Sequence, residues 1–487
     1  MTRLLAIVGA PIVGAIGAYA FPAARFRAAW LIPTATLHLG LVGWLWARPA
    51  APTLNGWLAV DPVGLVVLTV VSLLFFVIAL YAIGFLRTEN PRGGRAFVTC
   101  LLAFLGAASL VSLSHHLGLL WVGMETTTLA VAPLIYHRRD RRSLEAVWKY
   151  LVLSSVGIAL ALLGTFFLAS AQTLGQPLLL DDLVAGASTL QPALLRAAFV
   201  FLLAGYGTKM GLVPLHTWKP DTYGEAPSLV AGLMAGALTS CAFLGLARVT
   251  QVALAAGQGP FIRPLLLAQG VLTVAVAAAF MLGQTDLKRL LAYSSVEHMG
   301  LLILGLGIGG TGAYGSILHV LNNGLTKGLL FLTVGNLVAA TGTSNVAAAR
   351  GLLRRLPLTG GLLLVGLFAV TGSPPFGPFI SEFTILGAAI GAGHPWVAGI
   401  TLVMLAIVFI GMARTILEML YGEPLGPVAV RVQPGRLQFV GPIALACAVL
   451  VLGVYIPVQL QRVLSAAAIA LGGHYMEIGR ASCRERV

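Results

Sequence analysis

Long apolar stretches follow one another along almost the whole chain, and this succession constrains the fold more than any other feature. Each stretch is close to the ~20 residues that an α-helix needs to cross a bilayer. We predict about fourteen spans by this length criterion. They lie at residues 3–21, 28–47, 58–86, 96–113, 115–136, 148–170, 195–213, 226–250, 263–284, 290–309, 312–339, 359–389, 396–421 and 437–460. The chain is therefore predicted to be an all-α polytopic membrane protein. A membrane β-barrel would instead show alternating strands of ~10 residues.

Composition supports a membrane protein and excludes several site classes. Only 9% of the residues are charged, against about 25% in a soluble domain. The net charge of +14 comes from loop arginines, which serve topology, so we expect no nucleic-acid partner. The four cysteines are scattered without a C-x-x-C motif, which argues against an iron–sulfur or zinc site in this chain. We expect neither a metal nor a cofactor here.

Basic residues in the loops set the predicted orientation. They cluster after spans 1, 3, 5, 9 and 11, whereas the alternate loops are short, apolar or acidic. The positive-inside rule then places both termini outside. We expect a multi-pass protein of the inner (plasma) membrane. The basic loop residues are Arg25, Arg27, Arg87, Arg92, Arg95, Arg138, Arg139, Arg141, Arg142, Lys288, Arg289, Arg350, Arg354 and Arg355.

The last eleven residues differ from everything before them. Residues 477–487 read EIGRASCRERV, which is polar and rich in arginine. A back-translation of this stretch resembles a sequencing-library adapter. We interpret it as a non-native, adapter-derived tail and exclude it from the fold prediction; a short natural tail is the alternative.

Four ionisable residues inside predicted spans are the main candidates, because a charge in the middle of a span costs about 2.5–3.5 kcal/mol to insert. Lys209 lies in span 7, ahead of Pro214, and a proline can break a helix. Glu125, Lys327 and Glu382 lie in spans 5, 11 and 12, the last of these also containing several prolines. Broken helices at membrane depth normally line a cavity or an ion site.

Five further residues are secondary candidates, each with an alternative interpretation. His319 stands two turns before Lys327, on the same helix face, where a neutral packed histidine is the alternative. Glu297 and His298 open span 10 and could serve either a relay or packing. Lys149 opens span 6, where an interfacial lysine is favoured. His216 follows the break in span 7 and could simply position the loop.

The order of these polar positions predicts an internal repeat. Spans 4–8 and 9–13 read as two five-helix units, with a glutamate in the second span of each, a lysine in the third and a proline break in the fourth. Because five is odd, the second unit would be inverted, an architecture that places ion sites near the midplane. The predicted regions are residues 1–94, 95–251, 262–422 and 423–476, followed by the tail.

Two long motifs carry a family resemblance. KMGLVPLHTWKPDTYGEAPSLVAGL, which begins at Lys209, resembles the signature of the antiporter-like subunits of respiratory complex I. DLKRLLAYSSVEHMG, which begins at Asp286, is similar to their second-half signature, in the form typical of component F of hydrogenase-4-type complexes. The resemblance implies fourteen helices with two inverted five-helix repeats. It also implies proton translocation coupled to redox chemistry in partner membrane subunits.

The resemblance also assigns roles to individual residues. It implies that Glu125 and Lys209 are an interacting pair, Lys327 is the central lysine of the second half, and Glu382 is the terminal group of the broken span 12. Burial disfavours the charged form of an amine and a nearby carboxylate restores it, so a changing distance between them could load and unload a proton. Span 8 departs from the family, because it lacks the usual lysine or histidine and offers only Thr239, Ser240 and Cys241.

Three functions are compatible with the sequence. The favoured one is a proton-translocating subunit of a hydrogenase-4-like or complex I-like pump, with no redox active site in this chain. The second is a subunit of a multisubunit cation/proton antiporter or ion-driven uptake complex. The third, a membrane enzyme that itself binds quinone or haem, is disfavoured because the histidines do not form facing pairs.

Overall fold

The structure is a computed structural model, and every regular element that it describes is a helix. The described residues are 2–21, 24–88, 94–172, 176–423 and 433–473. Within them, pairing between extended segments is limited to isolated bridges such as Thr53 with Leu58. The all-α prediction is confirmed. The proposed tail at 477–487 lies outside the described residues.

The first part of the chain forms helices that run back and forth across one bundle. The long apolar helices are α1 (Thr2–Ala20), α2 (Ala24–Ala47), α3 (Pro62–Thr88), α4 (Gly94–Leu113), α5 (Leu117–Ile135), α6 (Arg141–Ala171) and α8 (Pro192–Met210). A short helix, α7 (Leu180–Ala185), lies in the connection that precedes α8. Predicted span 7 continues beyond α8 as the short helix α9 (Trp218–Glu225).

The remaining helices form the second part of the chain. Its helices are α10 (Ser228–Leu233), α11 (Thr239–Ala255), α12 (Gly259–Met281), α13 (Leu287–Ile308), α14 (Thr311–Thr341), α15 (Leu352–Arg355), α16 (Pro357–Val370), α17 (Gly377–Gly391), α18 (Pro395–Tyr421), α19 (Arg436–Val454) and α20 (Val458–Ala470). The described chain has 13 helices that could cross a membrane, or 14 with a bent pair that includes α16. This agrees with the predicted count.

Two helix starts lie earlier than predicted, which changes the depth of three candidate residues. The Asp140 side chain accepts a hydrogen bond from the Ser143 amide (2.7 Å), and α6 therefore begins at Arg141. That amide holds the pKa of the Asp140 carboxyl below its usual value. Lys149 consequently lies two turns inside α6 instead of opening the span.

The second early start concerns α13. Asp286 accepts from the Arg289 amide (3.0 Å) and caps this helix, which begins at Leu287. Glu297 and His298 therefore lie near the middle of α13 and do not open it. Both side chains are fully buried.

Two transmembrane helices are broken where the prolines predicted a break. The first, α8, ends at Met210, and Gly211 follows with φ +80°. This left-handed conformation is one that glycine adopts without steric cost. In the second half α16 ends at Val370, and the chain resumes as α17 after a turn in which Gly372 has φ +60°.

Predicted span 8 is continuous but contains a π-helical turn. Residues Met234–Leu238 connect α10 to α11 with this wider turn. Such turns are rare and occur frequently at functional sites. Here Gly236 lies against Gly324 of α14, since a Cβ on Gly236 would come within 2.9 Å of the Gly324 carbonyl oxygen. This contact brings the two halves into direct backbone proximity.

Equivalent helices pack in the same way in the two halves. The third span of each half packs along its broken fourth span, α6 on α8 and α14 on α17. The first and second spans also pack together, α4 on α5 and α12 on α13. Close approach at α6–α8 requires small residues: a Cβ on Gly205 would lie 2.6 Å from the Gly157 carbonyl oxygen. This order supports the inverted repeat, which stays a prediction.

A buried ion pair ties the end of span 8 to the start of α3. Arg248 Nη2 donates to Asp61 Oδ1 (2.7 Å), and its guanidinium also donates to the Val111, Ser112 and Ser114 carbonyl oxygens. These carbonyls end α4. Arg248 is almost completely buried, so its donors are used within the fold and serve architecture.

Candidate functional site

The first polar cluster lies where α8 ends, and in it Lys209 is buried whereas Glu125 is half-buried. Lys209, the penultimate residue of α8, is fully buried, and its Nζ donates to Thr128 Oγ1 (2.6 Å) and to the Tyr150 hydroxyl (3.3 Å). Thr128 Oγ1 in turn has two acceptors on the preceding turn of α5, Glu125 Oε2 at 3.1 Å and, farther away, the Met124 carbonyl oxygen at 3.3 Å. Glu125 and Lys209 are thus brought together through the Thr128 hydroxyl, and their role as an interacting pair stays a prediction.

This geometry can exchange a proton without changing the charge of the cluster. Lys209 and Glu125 carry no net charge together as ammonium and carboxylate, and none as amine and carboxylic acid. Thr128 accepts from one and donates to the other, so one concerted hop converts the first state to the second. Because the net buried charge is unchanged, the hop avoids the cost of creating an isolated ion in the membrane.

The second cluster surrounds the middle of α14. Lys327 is fully buried, roughly 24 Å along the helix from Thr311 at 1.5 Å per residue, and its Nζ donates to Ser294 Oγ (2.6 Å) on α13. Glu297 stands three residues after Ser294, on the same face of α13. Neither Glu297 oxygen has a direct hydrogen-bond partner among the described residues.

Two histidines continue the cluster toward the second break. His298 Nε2 lies 3.5 Å from Glu297 Oε2, and His298 Nδ1 forms a 3.0 Å hydrogen bond with His319 Nε2. His319 Nδ1 is hydrogen-bonded to Ser381 Oγ (2.8 Å) on α17. Glu382 is buried, with Oε1 3.9 Å from His298 Nδ1. Since each imidazole has two nitrogens, the pair can accept a proton on one side and release it on the other.

The same three side chains have the composition of a metal site. Ligand atoms of His298, His319 and Glu382 lie within 4.8 Å of one another. One feature favours a proton chain over a metal site: the nitrogens of the two histidines are already hydrogen-bonded to each other at 3.0 Å.

Two secondary candidates lie apart from both clusters. Lys149 is 45% exposed and forms ion pairs with Glu145 and Asp221, each at 2.8 Å. His216 contacts the Pro214 carbonyl oxygen (3.3 Å) inside the break and packs near Phe280. The structure thus places Lys149 at the surface and His216 in the loop, consistent with the alternatives that the sequence left open.

Several polar groups that the structure places in or beside the clusters were not among the sequence candidates, and three of them are Thr128, Ser294 and Lys219. Thr128 and Ser294 accept hydrogen bonds from Lys209 and Lys327. Serine and threonine are common in membrane helices and usually donate to a carbonyl oxygen of their own helix, as Thr127 does to that of Met124. Lys219 is fully buried on α9 and donates to Ser295 Oγ (3.1 Å). A lysine so close to two prolines and a break was a visible signal for it.

The fold and these clusters define a class: a polytopic membrane protein with paired lysine–carboxylate clusters beside broken helices, typical of ion-translocating subunits. Residues 114–409, more than half of the chain, match the family described as NADH:quinone oxidoreductase/Mrp antiporter, transmembrane. The chain belongs to this family. It is an antiporter-like membrane subunit, and the resemblance carried by the two signatures is confirmed.

Individual relatives agree with this membership. The chain is 32% identical over 444 residues to the hydrogenase-4 component F homolog of Methylacidiphilum infernorum, covering 89% of this chain and 92% of that protein. It is 32% identical over 423 residues to NADH-quinone oxidoreductase subunit N of Desulforudis audaxviator, covering 82% of each. A subunit of an archaeal membrane-bound sulfane sulfur reductase has the same fold, with a TM-score of 0.88, 22% identity and coverage of 99% and 100%.

Proposed function

We propose that this chain moves protons across the plasma membrane as one subunit of a redox-driven complex of the hydrogenase-4 or NADH:quinone oxidoreductase type. The observation that carries the proposal is the pair of fully buried lysines, Lys209 and Lys327, each donating at 2.6 Å to a hydroxyl inside its own polar cluster. Relatives named as hydrogenase-4 and NADH-quinone oxidoreductase subunits support the choice of complex. Partner subunits would then carry the redox chemistry.

Each cluster has a distinct task in this proposal. Glu125 and Lys209 exchange a proton through Thr128 in the first half, and a conformational change in a partner subunit sets which of the two holds it. Lys327 is the acceptor of the second half. From there the proton passes over Glu297, the His298–His319 pair and Glu382. The loop arginines orient the chain with both termini outside, so the relay exchanges protons between two defined membrane faces.

The test uses the assembled complex in inverted membrane vesicles. The initial rate of acidification, from quenching of a ΔpH-sensitive dye, is divided by the electron-transfer rate in the same vesicles. We expect Lys209→Met and Lys327→Met each to lower this ratio by the number of protons that this subunit contributes per electron. A matched control is Lys288→Met, because Lys288 is also a buried lysine but donates to the Gly224 and Ala226 carbonyl oxygens. Parent-level ratios in both lysine variants would refute the proposal.

A cation/proton antiporter subunit is the second candidate, since the family description names the Mrp antiporter. The same vesicles separate the two. In a redox-driven pump acidification follows electron transfer and is insensitive to sodium. In an antiporter a sodium gradient alone would move protons in the absence of an electron donor.

A further inference from the structure

The two clusters need a connection, and the helix between them does not supply one. On predicted span 8 the Thr239 hydroxyl donates to the Ala235 carbonyl oxygen (2.7 Å) and the Ser240 hydroxyl to that of Gly236 (2.5 Å). Cys241 Sγ lies 3.9 Å from the Ala108 carbonyl oxygen. The charged residue of this span, Arg248, is bonded to Asp61 and to the end of α4. None of these groups is free to carry a proton from one half to the other.

Lys219 lies at this gap. It belongs to α9, in the first half, and donates to the Ser295 hydroxyl (3.1 Å) of α13, in the second half. The neighbouring Ser294 accepts from Lys327. Consecutive helix residues point about 100° apart, so the two ammonium groups approach α13 from different sides. Lys219 thus spans the boundary and ends one residue away from the contact of Lys327.

We propose that Lys219 is the proton-carrying residue that links the two halves of this chain, in place of a basic residue on span 8. The inference rests on the proposed function. It adds a residue and a route, from the end of α8 through α9 to α13, that neither the sequence motifs nor the family membership assigns.

The packing of Lys219 at the break supports this role. A Cβ on Gly211 would lie 2.5 Å from both Cδ and Cε of Lys219, so the lysine chain rests directly on the left-handed glycine that ends α8. In the second half a Cβ on Gly372 would overlap the Glu382 carboxylate. Each break therefore holds the ionisable side chain of the following helix against its glycine. The negative end of the α8 dipole also favours an ammonium group at Lys219.

Two tyrosines line the region between Lys209 and Lys219. Tyr150 accepts from Lys209, and its ring lies 5.3 Å from that of Trp218. The Tyr223 ring lies 6.0 Å from Trp218 and from the Lys219 ammonium, and the buried Tyr223 hydroxyl has no direct hydrogen-bond partner among the described residues. In this proposal the two tyrosine hydroxyls, with water between them, carry the proton from Lys209 to Lys219.

The transfer balances at every step. The Lys209 ammonium releases one proton and becomes an amine, while Lys219 Nζ accepts one and becomes an ammonium. Each hydroxyl on the way accepts a proton as it passes its own on, and no electrons move. Lys219 then releases its proton toward Ser295 and Lys327. Because two ammonium groups beside adjacent serines repel each other, charge on Lys219 and on Lys327 alternates, and this alternation favours onward transfer.

The experiment measures the proton-to-electron ratio of the assembled complex in inverted vesicles. We expect Lys219→Met to lower the ratio to the level of Lys327→Met, and the control Lys288→Met to keep the parent ratio. Ser295→Ala removes only the hydroxyl that Lys219 contacts, and we expect it to lower the same ratio, because the loss of this hydrogen bond slows proton transfer through this subunit roughly tenfold. Gly211→Ala, which displaces the lysine chain without removing it, should act in the same direction.

The outcomes separate this inference from the proposed function. A parent ratio in Lys219→Met with a lost ratio in Lys327→Met overturns the linking role alone. A parent ratio in both variants overturns the proposed function as well. If Lys219→Met does not assemble, Ser295→Ala decides, and a parent ratio in that variant overturns the inference.

Discussion

Removal of the Thr128 hydroxyl is the smallest change that tests the proton exchange in the first cluster. Thr128→Val keeps the shape of the side chain but removes the acceptor of Lys209 (2.6 Å) and the donor to Glu125 (3.1 Å). The lysine and the glutamate both remain. The variant therefore interrupts the hop between them without removing either charge.

The expected magnitude follows from the bonds that are lost. Hydrogen bonds to charged groups contribute about 1.5–3 kcal/mol each. Each 1.36 kcal/mol added to a barrier slows a step tenfold, so removing one such bond from the transfer path slows proton exchange by roughly 10- to 100-fold. Water that enters beside the valine would bring the effect toward the lower value.

The neighbouring Thr127 offers a matched control. It is also fully buried on α5, but its hydroxyl donates to the Met124 carbonyl oxygen of its own helix (2.6 Å). Thr127→Val should cost about 1 kcal/mol of stability and leave proton transfer unchanged. The assay is the rate of vesicle acidification per electron transferred in the assembled complex. Equal rates in Thr128→Val and Thr127→Val would refute the hydroxyl bridge.

Three further predictions concern the second cluster, the architecture and a helix cap. Ser294→Ala removes the acceptor of Lys327 and should slow vesicle acidification roughly tenfold, whereas a parent rate would exclude this serine from the path. Arg248→Leu removes the arginine from the ion pair with Asp61 and leaves that carboxylate with the Gly64 amide (3.0 Å) and His115 (3.9 Å). This should cost about 3 kcal/mol and lower the melting temperature of the detergent-solubilised protein; an unchanged temperature would contradict the pairing. Asp140→Ala removes the cap of α6 and should cost about 1 kcal/mol. Because the folded pKa of Asp140 lies below its usual value, its carboxylate stabilises the fold above about pH 4, and this difference from the parent should disappear as pH falls through the folded pKa.

The fold and the central residues were accessible from the sequence because the membrane makes polarity expensive. A lysine such as Lys327 in an apolar helix has few structural explanations, so its presence alone marks a site. The prolines likewise mark the breaks in spans 7 and 12, because a proline removes a backbone donor. The structure places Lys327 and Glu382 in one buried cluster, and Lys209 beside the first break.

Helix starts were predicted less well, and the reason is instructive. The predicted spans follow the apolar stretches, and each span is therefore ended at the first charged residues of the neighbouring loop. The first turns of α6 and α13 are charged, yet Asp140 and Asp286 cap them. An acidic residue three positions before a bonded amide is a helix-start signal. Applied here, it would have placed Glu297 and Lys149 at their observed depths.

The hydroxyl partners could not be assigned from sequence. Thr127 and Thr128 are adjacent and chemically identical. Both hydroxyls lie within hydrogen-bonding distance of the Met124 carbonyl oxygen, but the Thr128 hydroxyl also contacts Lys209 and Glu125. That difference depends on the rotation of α5 relative to α8, which local sequence does not encode. Lys219 differs from the two threonines, because a lysine in an apolar sequence stands out by its charge. Its partner Ser295 could not be assigned, since that contact depends on packing between distant parts of the chain.

Infrared difference spectroscopy of the assembled complex, triggered by reduction, tests the central claim most directly, because it detects protonation of individual carboxyl groups. If buried amines and carboxylates exchange protons, the parent complex will show a carboxylic-acid band that appears or disappears during turnover. We predict that Glu125→Gln removes this contribution and that Thr127→Val leaves it unchanged. A spectrum in which neither Glu125→Gln nor Glu382→Gln alters any carboxyl band would contradict the relay.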